Sequence, residues 1–249
     1  MSFAGVQSML ITFEGSDGLG KSGQVRLLVD ELNRRGHKVY TTKEPGNGLP
    51  GGGSPFGPLV RDAVFHLKAS GRTFPADAKQ LYLLIDHMDN VSRFLPFLES
   101  GETVVCDRYT DSAFAYAAVH TPPTSPAMLR MWKQFSGPNP DITVLLYAKG
   151  RKVTYPVYGV YEDIGWALER ARKRIGDEAG KQQAKGWNDY AAQRLIQRGY
   201  LALLSGQERT VIVRVAEHDT ELEVHRRVMA AVDKKLAKIP HLPRCLAVA

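Results

Sequence analysis

Eight consecutive residues carry the densest chemistry in the chain: Gly15-Ser16-Asp17-Gly18-Leu19-Gly20-Lys21-Ser22. They fit the pattern G-x-x-x-x-G-K-[ST], in which glycines turn backbone N–H groups inward to form an anion-binding nest. Gly15, Gly18 and Gly20 supply the freedom to turn, Lys21 supplies a point charge for terminal phosphates, and the Ser22 hydroxyl is a ligand for Mg²⁺. This is the chemistry of nucleoside triphosphate binding. The motif does not say which reaction follows. Asp17 stays open from its residue type alone: a solvated turn carboxylate, or an acidic group facing a second substrate.

Two further clusters follow short apolar runs. Asp107-Arg108-Tyr109 comes directly after Thr103 to Cys106, and Thr42-Lys43-Glu44-Pro45-Gly46 closes another run. In an open parallel sheet, ligands bind beyond the carboxyl ends of the strands. Asp107 there can hold Mg²⁺ or its water, and Arg108 can fork onto a phosphate.

These residues need a scaffold that brings strand ends together. Five short runs read as buried strands: Met9 to Phe13, Lys38 to Thr42, Thr103 to Cys106, Ile142 to Leu146 and Thr210 to Val215. Helical periodicity separates them, over Gln24 to Arg35, Leu59 to Ala69, Ala76 to Ser100 with a break near Pro96, and Ser125 to Phe135. Ile164 to Leu204 reads as helical with a break from Gly176 to Gly186, and Thr220 to Leu236 as a final helix. Strands alternating with helices predict an α/β fold of three layers: a five-stranded parallel sheet, helices on both faces and a helical lid. Residues 1–238 read as one domain, with insertions at about 46–57 and 149–165 and a loose tail at 239–249. The stretch 149–165 shows no clear period.

Composition narrows the partners. The 249 residues include 33 Lys plus Arg and 26 Asp plus Glu, a net charge of +7 that calls for an anionic partner. Cys106 and Cys245 are the two cysteines and match neither a metal spacing nor a disulfide framework. No run reaches the ~18 apolar residues that span a bilayer. The expectation is a cytoplasmic protein that binds no membrane. No nucleic-acid motif accompanies the charge, so small phosphates are the expected partners.

The order of these motifs resembles the thymidylate kinases, within the nucleoside monophosphate kinases, from about Met9 to about Leu236. Lys43-Glu44-Pro45-Gly46 resembles the family's R-E-P-G turn. Asp107-Arg108-Tyr109-Thr110-Asp111-Ser112 with Ala115-Tyr116 resembles D-R-Y-x-x-S…A-Y, and Pro140-Asp141-Ile142-Thr143 resembles P-D-L-T. Gly23 stands where the family usually has Thr.

The resemblance implies roles. ATP is the phosphoryl donor with Mg²⁺ held by Ser22 and Asp107, and a deoxypyrimidine monophosphate, dTMP foremost, is the acceptor. Asp17 approaches the sugar or acceptor phosphate. Glu44 belongs to the acceptor side. Arg61 and Arg108 hold the monophosphate, and Tyr116 packs on the 2′ side of the sugar. Gly18 and Leu19 stand where one subgroup carries an Arg, so the catalytic cations are expected from a mobile lid at about 170–190. The candidates are Arg170, Arg172, Arg174, Lys181 and Lys185, in a basic segment punctuated by glycines. The alternative for such a charge run is a solvated helix face.

In the base pocket the chain departs from the family. By spacing back from Asp107, Leu83 falls where the family has a stacking Phe, and His87 where it has an Arg aimed at the base carbonyl. His87 is either a hydrogen-bond donor to the base or an exposed helical histidine. A homodimer is expected from the family. Three other functions fit part of the pattern. One is a kinase for a modified or different deoxynucleotide. Another is a deoxynucleoside kinase with Glu44 as the base that takes a hydroxyl proton. The third is a nucleotide-binding module without catalysis.

Overall fold

The computed structural model describes residues 8–66, 74–117, 119, 123–155, 159–179 and 190–238. Strands β1 (Leu10–Glu14), β2 (Val39–Lys43), β3 (Thr103–Asp107), β4 (Ile142–Ala148) and β7 (Thr210–Val215) form one sheet in the order β2-β3-β1-β4-β7. All its pairings are parallel. β1 is central, so both faces must be apolar, and its residues alternate between two cores.

On one face, Met9, Ile11 and Phe13 pack with Leu28 and Leu32 of α1 (Lys21–Arg34) and Val224 and Val228 of α8 (Glu221–Leu236). On the other, Leu10, Val104 and Cys106 meet Phe94 and Leu98 of α3 (Ala76–Glu99). Leu145 lies on this second face with Ala115 of α4 (Thr110–Ala117) and Ile196, Tyr200 and Leu204 of α7 (Tyr190–Leu204). The predicted three layers are present. A capping box at Thr220 and Glu223 fixes where α8 begins.

Several local expectations change. α3 runs through Pro96 to Glu99 without a break, although Pro96 has no N–H to give to the carbonyl one turn earlier. The segment expected as one helix from Leu59 is a short α2 (Gly57–Arg61) continued by a single π turn, Asp62–His66. The irregular stretch after β4 is an antiparallel hairpin, β5 (Arg151–Tyr155) with β6 (Gly159–Asp163), in the register Val153↔Tyr161. Its Val, Thr and Tyr residues favour strands, a signal that the search for a longer period missed. α5 (Pro126–Gln134) is N-capped by the Ser125 hydroxyl. α6 (Gly165–Ala179) carries the first half of the basic segment and continues through Gly176. Lys181, Lys185 and the tail from residue 239 lie outside the described residues.

Candidate active site

The phosphate loop leaves the carboxyl end of β1 and enters α1 at Lys21. Gly20 precedes the helix in the left-handed region, φ 82°, and no side chain caps the helix. The first N–H groups of α1 are therefore available to an anion. Gly18 is obligatory for a second reason besides its φ of 81°: a Cβ there would collide with the backbone carbonyl of Ala167 in α6. α6 thus lies directly over the loop, and Leu19 is buried with Ile164 and Ala167. No arginine fits at position 18.

Lys21 folds back onto the loop, its Nζ donating to Ser16 O at 2.7 Å. Burial, with Arg108 nearby, pushes its ammonium down to about 7. Ser22 Oγ donates to Asp107 Oδ2 at 2.6 Å, across the gap between α1 and β3. Burial opposes charge on Asp107, but Lys43, Lys21 and Arg108 hold its carboxyl below the usual range. Lys43 Nζ lies 3.6 Å from it.

Arg108 joins the strand ends. It has a left-handed backbone, φ 72°, rare for a residue with a side chain. Nη1 donates to Gly15 O at 2.9 Å and to Tyr200 Oη at 3.1 Å, while Nη2 pairs with Asp17. Its guanidinium sits 5.2 Å from the centroid of the Tyr116 ring. Asp17, Arg108 and Tyr116 are thus brought together, and the open reading of Asp17 as a merely solvated turn residue falls away.

Sequence reasoning missed the supports of this cluster. Glu14 is fully buried and accepts from Tyr109 N at 2.9 Å and Ser112 Oγ at 2.6 Å. Burial, then Asp111, pushes its carboxyl up to about 8. α7 contributes Gln193, Gln197 and Tyr200, one face of a helix at i, i+4 and i+7. Gln193 accepts from Asp17 N at 3.2 Å and donates to Asp17 Oδ2 at 3.2 Å. Gln197 accepts from Ala148 N at 3.1 Å, and Tyr200 Oη lies 2.6 Å from Ser112 Oγ. Three buried polar residues in an apolar helical stripe were the available signal.

The residues expected on the acceptor side gather at the turn after β2. Arg61 Nε donates to Gly46 O at 3.1 Å and Nη2 to Pro45 O at 2.6 Å. Burial, then Arg108, lowers its affinity for the proton. Asp86 accepts from Gly46 N, and burial with Glu44 nearby pushes its carboxyl up to about 7. Glu44 is occupied from inside: His87 Nδ1 lies 3.0 Å from Oε1, and Asn90 Nδ2 donates to the same oxygen at 2.8 Å.

Two expectations for the base pocket need correction. His87 is 0% exposed, and its second nitrogen, Nε2, lies 3.1 Å from Phe135 O. With both nitrogens engaged and the ring wedged between Tyr109 and Trp132, it is neither a base reader nor a surface residue. Leu83 is half-buried against Leu84, Ala113, Met128 and Trp132. Among the lid candidates, Arg170 stacks on Trp166 at 5.0 Å and donates to Glu217 O, so the structure does not bring it to Lys21 or Asp17. Arg174 lies further along α6, and its side chain is outside the described residues. Among the described residues, no helix is long and apolar enough to cross a membrane.

A family model described as thymidylate kinase matches residues 13–228. The thymidylate kinase of Methylococcus capsulatus is 34% identical over 231 residues, covering 91% of this chain and 96% of that protein. That of Roseiflexus sp. (strain RS-1) is 32% identical over 251 residues, covering 96% and 100%. The solved structure of thymidylate kinase from Candida albicans superposes with a TM-score of 0.66 at 20% identity, over 92% of this chain and 93% of that one.

Proposed function

The chain belongs to the thymidylate kinase family, and we propose that it transfers the γ-phosphoryl group of ATP to dTMP through the cluster around Arg108. One observation carries this reading. A single guanidinium from the end of β3 bonds both the loop carbonyl of Gly15 and the loop carboxylate of Asp17. Donor and acceptor sites therefore share a wall.

Both substrates are anions, and the acceptor phosphate is ionised at neutral pH, so positioning and charge neutralisation are the work to be done. The backbone N–H groups of Gly15 to Ser22 cradle the donor phosphates. Burial lowers the Lys21 ammonium to about 7, and phosphate oxygens beside it favour the charged form. Arg108 and Arg61 hold the acceptor phosphate in line. Tyr116 packs on the sugar, and Asp17, oriented by Gln193, meets its hydroxyl side.

Ser22 and Asp107 present hard oxygens side by side, a donor set that fits Mg²⁺, which takes few protein ligands and completes its shell with phosphates and water. When bound there, the ion screens the charge of the β- and γ-phosphates. The catalytic cations assigned to the segment 170–190, Arg174 among them, are there to neutralise charge developing on the transferred group. Arg170, engaged with Trp166 and Glu217, is not one of them.

The bonds around Glu44 disfavour a deoxynucleoside kinase. Its carboxylate is committed to His87 and Asn90 and is 7% exposed, so it is poorly placed to take a hydroxyl proton. The remaining proposals are a single domain over 1–238, a cytoplasmic location, no nucleic-acid partner and a homodimer. For the dimer, Leu81, Ile85 and Met88 of α3 form an exposed apolar stripe at helical spacing.

The test is coupled ADP release with ATP–Mg²⁺ and a panel of acceptors. Turnover with dTMP and none with thymidine is the expected result. Turnover with thymidine, or nucleotide binding without ADP release on any monophosphate, would replace it.

A further inference from the structure

Asp86 has no place in the reading above. It sits on α3, is 1% exposed, and both its oxygens lie 3.1 Å from the amide nitrogen of Gly46. A buried N–H facing a carboxylate makes a charge-assisted bond, stronger than a neutral one. The carbonyl of the same Gly46 accepts from Arg61 Nε, and the carbonyl before it, of Pro45, accepts from Nη2. Adjoining peptide groups thus connect the carboxylate on α3 with the guanidinium on α2.

The turn has little room to move. A Cβ on Gly46 would run into the backbone of Ser54, and one on Gly57 into the Gly46 backbone. α3 grips the turn again two residues earlier, where His87 and Asn90 bind Glu44. Asp86 and His87, adjacent on the helix, therefore hold alternate residues of one turn.

We propose that Asp86 is a positioning residue for the phosphoryl acceptor: by fixing the Gly46 peptide it holds Arg61 in the orientation in which that side chain meets the acceptor phosphate. The inference rests on the assignment of Arg61 to the acceptor. It gives α3 a different task from the one its spacing suggests. The helix serves the phosphate end of the acceptor at positions 86 and 87.

The experiment is steady-state kinetics with ATP and dTMP varied separately, on Asp86→Ala, Asp86→Asn and Arg61→Ala. Asp86→Ala is expected to raise the KM for dTMP about tenfold, the effect of leaving one buried donor unpaired. The KM for ATP and the preference for dTMP over dUMP stay unchanged. Asp86→Asn keeps one acceptor oxygen and recovers most of the loss. If Asp86→Ala does not fold, Asp86→Ser carries the same expectation, because its hydroxyl is too short to reach Gly46. An equal rise in both KM values, a changed preference between dTMP and dUMP, or no rise for dTMP would each overturn the proposal. Arg61→Ala separates the two levels. An unchanged dTMP KM in that variant removes the Arg61 assignment itself. A raised one, beside an unchanged KM in Asp86→Ala, removes only the role of Asp86.

Discussion

His87 Nδ1 lies 3.0 Å from Glu44 Oε1 in a site that is 0% exposed at the histidine. Burial drives the imidazole toward neutrality, but Glu44 outweighs it and holds the His87 pKa above its ordinary value of 6.5. This buried pair ties α3 to the turn after β2.

Removing one partner strands the other. His87→Ala is expected to cost about 3 kcal/mol of stability, in the range for breaking a buried charged pair. Denaturant unfolding measures it. The ratio of dTMP to dUMP turnover should not move, since both ring nitrogens are used inside the protein. A shifted ratio would restore His87 to the base pocket.

Glu14 sets a pH dependence of folding. Its folded pKa is raised to about 8 from 4.5, so its contribution is fully present below 4.5 and is lost as pH rises through about 8. Asp86, raised to about 7 from 3.8, acts in the same direction over a lower window. Lys21, lowered to about 7 from 10.5, acts oppositely, destabilising the fold as pH falls below 10.5 toward about 7. Glu14→Gln should therefore flatten the fall in thermal midpoint between pH 4.5 and 7. A wild-type slope retained in that variant would exclude Glu14 as its source.

Lys21→Ala should lower kcat on the order of a thousandfold or more, by loss of a cation aimed at the phosphates. The circular dichroism spectrum should stay unchanged, because the Lys21 Nζ bond goes to the loop itself and not to the core. Near-normal turnover would contradict the role of the loop.

Ser22→Ala and Asp107→Asn address the metal. Each should raise the Mg²⁺ concentration needed for half-maximal rate, on the order of tenfold, as expected when one ligand of a weakly held ion is lost. Mg²⁺ titration at fixed ATP reads it. An unchanged midpoint in both variants would place the metal elsewhere.

Arg108→Ala should weaken acceptor use more than ATP binding. It also removes the Arg108 partner of Asp17, so Asp17→Asn made in the Arg108→Ala background should restore part of any lost stability. Separate titrations of ATP and dTMP, with melting curves for the double variant, check both. Equal losses for the two nucleotides would contradict the assignment of Arg108 to the acceptor.

The phosphate loop and the Asp107-Arg108 pair were legible in the chain because their chemistry is local. A strand end, a run of glycines and a helix start are neighbours in sequence, and backbone N–H groups do the binding. The five parallel strands were equally plain, since each is short, apolar and separated by helical periodicity. The register along α3 was not. On a helix, one residue of offset turns a side chain by about 100°. Spacing alone could not say whether His87 faced the base or the inside of the protein.

The motifs by themselves determined the strand–loop–helix, the triphosphate chemistry and the α/β architecture, because each depends on contiguous residues. Only the tertiary structure decided who holds these residues in place. Glu14 meets Ser112, Asp17 meets Gln193, and Asp86 meets the turn that orients Arg61. Such contacts depend on how whole helices dock on the sheet. Docking is settled by the sum of many buried surfaces, so no short stretch of sequence carries it.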